Sequence, residues 1–186
     1  MQLSKIGAIL KTNKMIEYLD DGEDQWIGDG TAYYCVRGMP QLEKDQIYTL
    51  FDIPQEKRGD YIFTIIRDLW KYNIENTASE EIPVKPYALR LGWFGSELAP
   101  VNTPNGLLML ETQYLKPFKD EKSGYELYMR SSENGDCFAV KSGMFILGII
   151  KPYPVVDPVL REQIRTVSGL LPPVMPPQPP ENVSML

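Results

Sequence analysis

The chain has 186 residues, of which 43% are hydrophobic and 24% are charged; such fractions are typical of soluble globular proteins and exclude a disordered or fibrous one. It contains two cysteines and no histidine, which excludes a disulfide framework, Ser-His-Asp or Cys-His catalysis, and imidazole metal sites. The net charge of −6 opposes nonspecific attraction to nucleic acid over the whole surface, although a local basic face remains compatible with it.

The first 72 residues predict one α+β repeat. Apolar residues at helical spacing indicate an opening helix with Lys5 and Lys11 on its polar side. Strands rich in aromatic residues come next, separated by Asp-Gly turns, and they predict a small antiparallel meander. Pro54 stops the next helix. In chain order, the predicted elements are a helix over 4–13, strands over 15–19, 25–28 and 31–37, a helix over 41–51, and a strand or buried segment over 61–66.

Residues 73–105 are predicted to be an irregular connection. The segment 73–81 is polar without periodicity, and prolines interrupt the segment 83–104. Trp93 and Phe94 stand between two glycines in this connection. Adjacent aromatic residues in a loop are candidates for contact with a protein partner. The preferred interpretation is that they cap the core where the halves meet, because large aromatic side chains are usually buried.

Residues 106–171 predict a second α+β repeat. Its predicted elements are a strand over 107–111, a short helix or turn over 112–120, and strands over 125–130, 136–141 and 144–150. A last helix is indicated by Asp157 as its cap and Pro158 in its first turn, with Arg161 and Arg165 opposite its apolar stripe. Residues 172–186 are proline-rich and predict an extended, disordered tail outside the fold.

Two segments of the chain resemble each other and suggest an internal duplication. Residues 28–39 and 135–144 each contain a Gly-Asp turn, a short aromatic strand, a basic residue and Gly-Met. Two copies of one unit can bury their apolar faces against each other. The predicted fold class is therefore α+β, with two similar helix and antiparallel-sheet halves. Cys35 and Cys137 end corresponding strands and are predicted to be buried thiols.

The order of elements resembles the repeating unit of DNA sliding clamps, the processivity factors of replicative polymerases. In the first half, the resemblance is carried by residues 1–5, Leu10, Lys11, Ile16 and Trp26, which look like the start of phage-type clamps. In the second half, it is carried by residues 114–118, 125–130 and 138–141. The resemblance implies a clamp-like duplication, a homo-oligomer, and replication or phage proteins as partners. It also implies helices that touch double-stranded DNA without reading bases, with Lys5, Lys11, Arg161 and Arg165 facing the phosphates.

Two alternatives remain beside this hypothesis of a non-enzymatic, DNA-associated protein without a cofactor or metal. The four cations also suit the solvated faces of two amphipathic helices. An oligomeric structural or adaptor protein would instead bind a protein partner through its sheet edges or the proline-rich tail. Carboxylate pairs such as Glu80 and Glu81 lie in polar loops, where solvation explains them better than catalysis. With no apolar run of membrane-spanning length and no signal peptide, the expected location is the cytoplasm, without a membrane partner.

Overall fold

The computed structural model describes residues 1–20, 22, 24–67, 73–78, 80–119 and 124–171. Within these ranges the chain forms three α-helices, two 3₁₀ helices and eleven strands. In chain order they are α1 (Leu3–Asn13), β1 (Met15–Asp20), β2 (Gln25–Gly28), β3 (Ala32–Cys35), α2 (Lys44–Leu50), η1 (Gln55–Asp60), β4 (Ile62–Ile66), β5 (Ile82–Val84), β6 (Leu91–Trp93), β7 (Ser96–Thr103), β8 (Gly106–Glu111), η2 (Thr112–Phe118), β9 (Glu126–Ser132), β10 (Gly135–Ser142), β11 (Phe145–Ile150) and α3 (Pro158–Leu170).

Two sheets organise the protein, and the mixed α+β class predicted from the sequence is confirmed. Eight strands form the larger sheet in the order β4-β1-β2-β3-β11-β10-β9-β5, and β6-β7-β8 form the smaller one. The larger sheet contains two antiparallel meanders, β1-β2-β3 and β9-β10-β11, whose third strands pair with each other. At its edges, β4 is parallel to β1 and β5 is antiparallel to β9.

The larger sheet buries both of its faces. One face carries residues such as Ile16, Tyr34 and Phe138, and α1, α2, η2 and the inner side of the smaller sheet pack on it. The opposite face carries a second cluster that includes Trp26 and both cysteines. Helix α3 packs on the outer side of the smaller sheet through Leu160 and Ile164. The helices therefore occupy two layers, one on each sheet.

The positions of most helices and of the meander strands agree with those predicted from local sequence signals. The predicted cap of the last helix is confirmed, since the Asp157 carboxylate accepts hydrogen bonds from the backbone N–H groups of Val159 and Leu160. Helix α1 begins at Leu3, one residue before the predicted start, with Gln2 as its N-cap residue. The predicted element at 61–66 is strand β4, and the helix before Pro54 ends at Leu50. No helix in the described residues has the length and apolar character to cross a membrane.

The prediction of an irregular connection over 73–105 was wrong, because β5, β6 and β7 lie in this range. Pro100 does not break the chain there, since it lies opposite Met109 at a point of β7 beyond the end of β6. Its carbonyl accepts a hydrogen bond from the backbone N–H of Tyr87 at 2.9 Å, next to the bridge between Pro86 and Val101. The predicted boundary between residues 105 and 106 falls inside the β7–β8 hairpin, where Thr103 pairs with Gly106.

The two resembling segments occupy different places in their meanders. Residues 28–39 contain β3, the third strand of the first meander, whereas residues 135–144 contain β10, the middle strand of the second. Aligning the segments would therefore shift one meander by a whole strand relative to the other. The predicted proline-rich tail, 172–186, lies outside the described residues.

Candidate nucleic-acid interface

Helix α1 and the 3₁₀ helix η2 lie side by side on the larger sheet. At one end, the backbone N–H of Gln2 donates to the carbonyl of Pro117 at 2.8 Å. At the other end, the Asn13 amide donates to the hydroxyl of Tyr114 at 3.4 Å. Four buried η2 residues, which include Leu115 and Phe118, hold η2 against the core. The two elements thus form one surface with fixed relative positions.

Asp29 joins this surface to the turn between β2 and β3. Its carboxylate is buried and accepts hydrogen bonds from the backbone of Thr31 and Ala32, at 3.0 and 2.9 Å. Its second oxygen accepts from the Asn13 amide and, at 3.0 Å, from the Tyr114 hydroxyl. Burial, together with the charge of Asp29, raises the pKa of Tyr114 well above its ordinary value, so the hydroxyl remains a donor.

We call four exposed cations the lysine face: Lys5 and Lys11 of α1, Lys116 of η2, and Lys119, which directly follows η2. The segments 3–14 and 112–119 contain no aspartate or glutamate, although the whole chain carries six more acidic than basic charges. Lys14 belongs to the same segment but pairs with Asp60 at 3.3 Å. Within the described ranges, the four lysines of the face form no ion pair. Their charge is therefore not neutralised by an ion pair with any described carboxylate.

The structure separates the four predicted DNA contacts into two pairs. Lys5 and Lys11 are exposed on α1, as predicted, and Lys116 and Lys119 are exposed on the neighbouring segment 112–119. Arg161 and Arg165 are exposed on α3, but that helix packs on the smaller sheet, and Arg165 pairs with Glu162 at 2.9 Å. Sequence reasoning missed the η2 lysines because their position beside α1 depends on tertiary contacts. The available signal was the absence of carboxylates from both segments.

Trp93 and Phe94, the predicted contacts for a partner, have different environments. Trp93 is partly buried against the cluster under α3. Phe94 is 89% exposed at the turn between β6 and β7, and its φ of 44° is in the left-handed region that bulky residues rarely adopt. Its ring contacts Trp93 edge to face, with centroids 5.1 Å apart. The interpretation that both aromatic side chains cap the core is therefore wrong for Phe94.

One carboxylate of the pairs considered in the sequence is at the centre of a buried ionic cluster. Glu81 accepts from Arg130, whose side chain is fully buried, at 2.5 Å, and from Lys141 at 2.6 Å. Arg130 also donates to the carbonyls of Asn73 and Glu75. Burial raises the pKa of Glu81, but the hydrogen bonds from Lys141 and Arg130 outweigh it, so the pKa lies below its ordinary value. The cluster attaches Asn73, Glu75 and Glu81 to the sheet.

Both cysteines are buried thiols, as predicted. Burial raises the pKa of Cys137 to about 11, so at neutral pH its sulfur carries a proton and is a poor nucleophile. Among the described residues, no group of three or more cysteine and carboxylate side chains is arranged to hold a metal ion. Comparison with protein-family models, with curated proteins and with solved structures gave no match for this chain.

Proposed function

We propose that this chain is a non-enzymatic, DNA-associated protein of clamp-like architecture that contacts the phosphate backbone of double-stranded DNA through the lysine face. The observation that carries the proposal is the concentration on α1 and η2 of lysines that pair with no described carboxylate, in an otherwise acidic protein. Such a face attracts phosphates by charge alone, and the acidic remainder of the surface keeps other parts of the molecule away from DNA.

The arrangement of elements supports the clamp-like part of the proposal. Each meander is preceded by a helical element, α1 in the first half and η2 in the second, and these two elements lie together on one face of a continuous sheet. Backbone contacts by lysine position a protein on a duplex but carry no sequence information. The proposed role is therefore an accessory one, in which the protein associates with DNA of any sequence and with replication or phage proteins.

A fluorescence-anisotropy titration with double-stranded DNA at two salt concentrations tests the proposal. Four phosphate contacts predict that the logarithm of the binding constant falls with the logarithm of the salt concentration with a slope of about −3.6. Binding should therefore weaken by about 100-fold between about 50 and about 200 mM salt. Replacing Lys5 and Lys11 together with glutamate should abolish binding at the higher salt concentration. The variant with Arg161→Glu and Arg165→Glu is the matched control, since it makes the same charge change on α3.

Three results would contradict this assignment. Absence of binding by the wild-type chain at low salt would remove the DNA role. Loss of binding in the α3 control with full binding by the α1 variant would place the contact on Arg161 and Arg165 instead. Binding that differs strongly between DNA sequences would also contradict a contact limited to phosphates.

The alternative of an oligomeric or adaptor protein is favoured by a different observation, the exposed edge strand β4. This strand ends the larger sheet and presents apolar side chains to solvent. Exposed edges of this kind pair with additional strands. Protein association through β4 is compatible with DNA binding through the lysine face, because the two surfaces are formed by different elements.

A further inference from the structure

The two edges of the larger sheet differ in their capacity to accept another strand. Strand β4 consists of Ile, Phe, Thr, Ile and Ile, without proline or charge, and Ile62 and Ile65 are 63% and 58% exposed. Strand β5 at the opposite edge has three residues and contains Pro83, which lacks a backbone donor. Short strands and prolines protect an edge from pairing, whereas an uncharged β-branched edge invites it. The edge that can pair with another strand is therefore β4.

The parallel pairing of β4 with β1 determines which backbone groups of β4 face outward. Ile62 pairs with Met15, and its N–H donates to the carbonyl of Lys14 at 3.0 Å. In a parallel ladder alternate residues bond the same neighbour, so Thr64 and Ile66 also face β1. The N–H and C=O groups of Phe63 and Ile65 consequently point away from the sheet. They provide two donors and two acceptors to an incoming strand.

We propose that β4 is a homodimer interface, in which β4 of a second copy pairs antiparallel with it about a two-fold axis at Thr64. In this register Phe63 lies opposite Ile65 of the second copy, and each pair exchanges both of its backbone hydrogen bonds. The four outward groups of each copy are then satisfied by those of the other. Thr64 lies opposite Thr64 of the second copy at the intervening position, where the antiparallel ladder makes no hydrogen bond.

Side-chain chemistry favours a second copy over an unrelated strand. The register sets Phe63 and Ile65 together on one face and Ile62 and Ile66 together on the other, and such aromatic and β-branched pairs stabilise sheets. In the same register the exposed Arg67, which follows β4, lies opposite Tyr61 of the second copy. Because Pro83 prevents strand pairing at the β5 edge, further copies do not bind there, and the assembly is a dimer.

The dimer does not depend on DNA binding, and its consequence for the lysine face is geometric. A two-fold axis at the centre of a continuous sheet runs perpendicular to that sheet. Helix α1 of both copies therefore lies on the same side, and one side of the dimer carries two lysine faces. Isologous pairing of this kind is the commonest form of homo-oligomer.

The mass of the full chain in solution, measured by sedimentation over a wide range of protein concentration, is the first test. The wild type should reach twice the chain mass of 21.2 kDa. Ile65→Lys should remain monomeric, because a charge on the edge repels its symmetry mate. Val159→Lys is the matched control and should still dimerise, since Val159 is 59% exposed on α3, away from β4. A wild type that stays monomeric, or a dimer that survives Ile65→Lys, would overturn the proposal.

Disulfide cross-linking tests the register independently of any folding defect in the lysine variant. Thr64→Cys should form a covalent dimer on mild oxidation, because opposite residues at a non-hydrogen-bonded position have Cα atoms about 4.5 Å apart. Ile62→Cys in the same strand should not, since the two introduced thiols would lie about 13 Å apart. The native Cys35 and Cys137 are buried and do not compete. Equal cross-linking of both variants, or of neither, would contradict the two-fold axis at Thr64.

Discussion

At the scale of single residues, Glu81 holds a part of the chain that has little apolar content of its own. The segment 73–81 is mostly polar, and it approaches the sheet where Arg130 and Lys141 emerge from β9 and β10. Lys141 also lies over the ring of Tyr128 at 5.1 Å. Burying a guanidinium group without a paired carboxylate destabilises the folded state, so the buried Arg130 requires Glu81. The cluster substitutes for the hydrophobic contacts that this segment lacks.

Glu81→Gln should reduce the free energy of unfolding at pH 7 by about 3 kcal/mol, because it leaves the charge of Arg130 buried without compensation. The folded-state pKa of Glu81 is lowered, so its ionic contribution is present above the unfolded value of about 4.3 and is lost as pH falls through the folded pKa. Urea unfolding of both proteins should therefore show a difference that shrinks below about pH 4.

Glu80→Gln is the matched control for this experiment. Glu80 is exposed beside Glu81, and its replacement should change stability by no more than about 0.5 kcal/mol. A difference between wild type and Glu81→Gln that stays constant as pH falls would show that the carboxylate charge is not the stabilising feature.

At the scale of elements, η2 depends on a glycine in a strand that is distant in sequence. Phe118 at the end of η2 is fully buried and lies over Gly148 of β11. A Cβ atom on Gly148 would lie 2.6 Å from Cζ of Phe118 and 2.9 Å from the carbonyl oxygen of Tyr33. The missing side chain thus allows η2 to pack close to the sheet, with Lys116 and Lys119 held beside α1.

Gly148→Ala should destabilise the protein by about 2 kcal/mol, since the added methyl group must displace a buried ring or the backbone of β3. The midpoint of chemical denaturation measures the effect. Gly92→Ala in β6 serves as the control, because a Cβ there meets no atom within 4 Å. A Gly148→Ala protein as stable as the wild type would mean that η2 is not tightly seated on β11.

The elements that could be predicted from the sequence are those with local signals. The cap at Asp157 and the turns of the first meander involve neighbouring residues, and both appear in the structure. Strand β7 could not be predicted, because Pro100 lies in a part of β7 that does not pair with β6, and this arrangement depends on tertiary contacts. Of the lysine face, only the part on α1 was predicted. The part on η2 was missed because the contact between Gln2 and Pro117 that brings the two elements together joins distant parts of the chain.

At the scale of the whole molecule, the predicted repeats share one sheet. Strand β3 of the first half pairs with β11 of the second through Tyr34 and Gly148 and two adjacent pairs. The backbone N–H of Lys151 extends this connection to the carbonyl of Thr31 at 2.8 Å. Both clusters on the larger sheet contain residues from both halves. The halves therefore stabilise each other and are not independent units.

Calorimetric unfolding of the full chain should show a single transition, with equal van't Hoff and calorimetric enthalpies per cooperative unit, because separating β3 from β11 exposes both clusters. Residues 1–72 expressed alone should lack a cooperative transition, since β3 would have no partner on one side. Two resolved transitions in the full chain, or a folded fragment 1–72, would show instead that each half is autonomous.

The pairing of β3 with β11 also bears on the time course of folding. The first meander is synthesised early, yet one side of β3 cannot be completed until Phe145–Ile150 has left the ribosome. Closing so long a loop is entropically expensive, and contacts between distant residues slow folding. During synthesis the first half therefore exposes an unpaired β3 edge in addition to β4. A chaperone, or rapid synthesis of the remaining strands, would protect this edge from aggregation. Slowing translation before residue 145 should therefore increase aggregation.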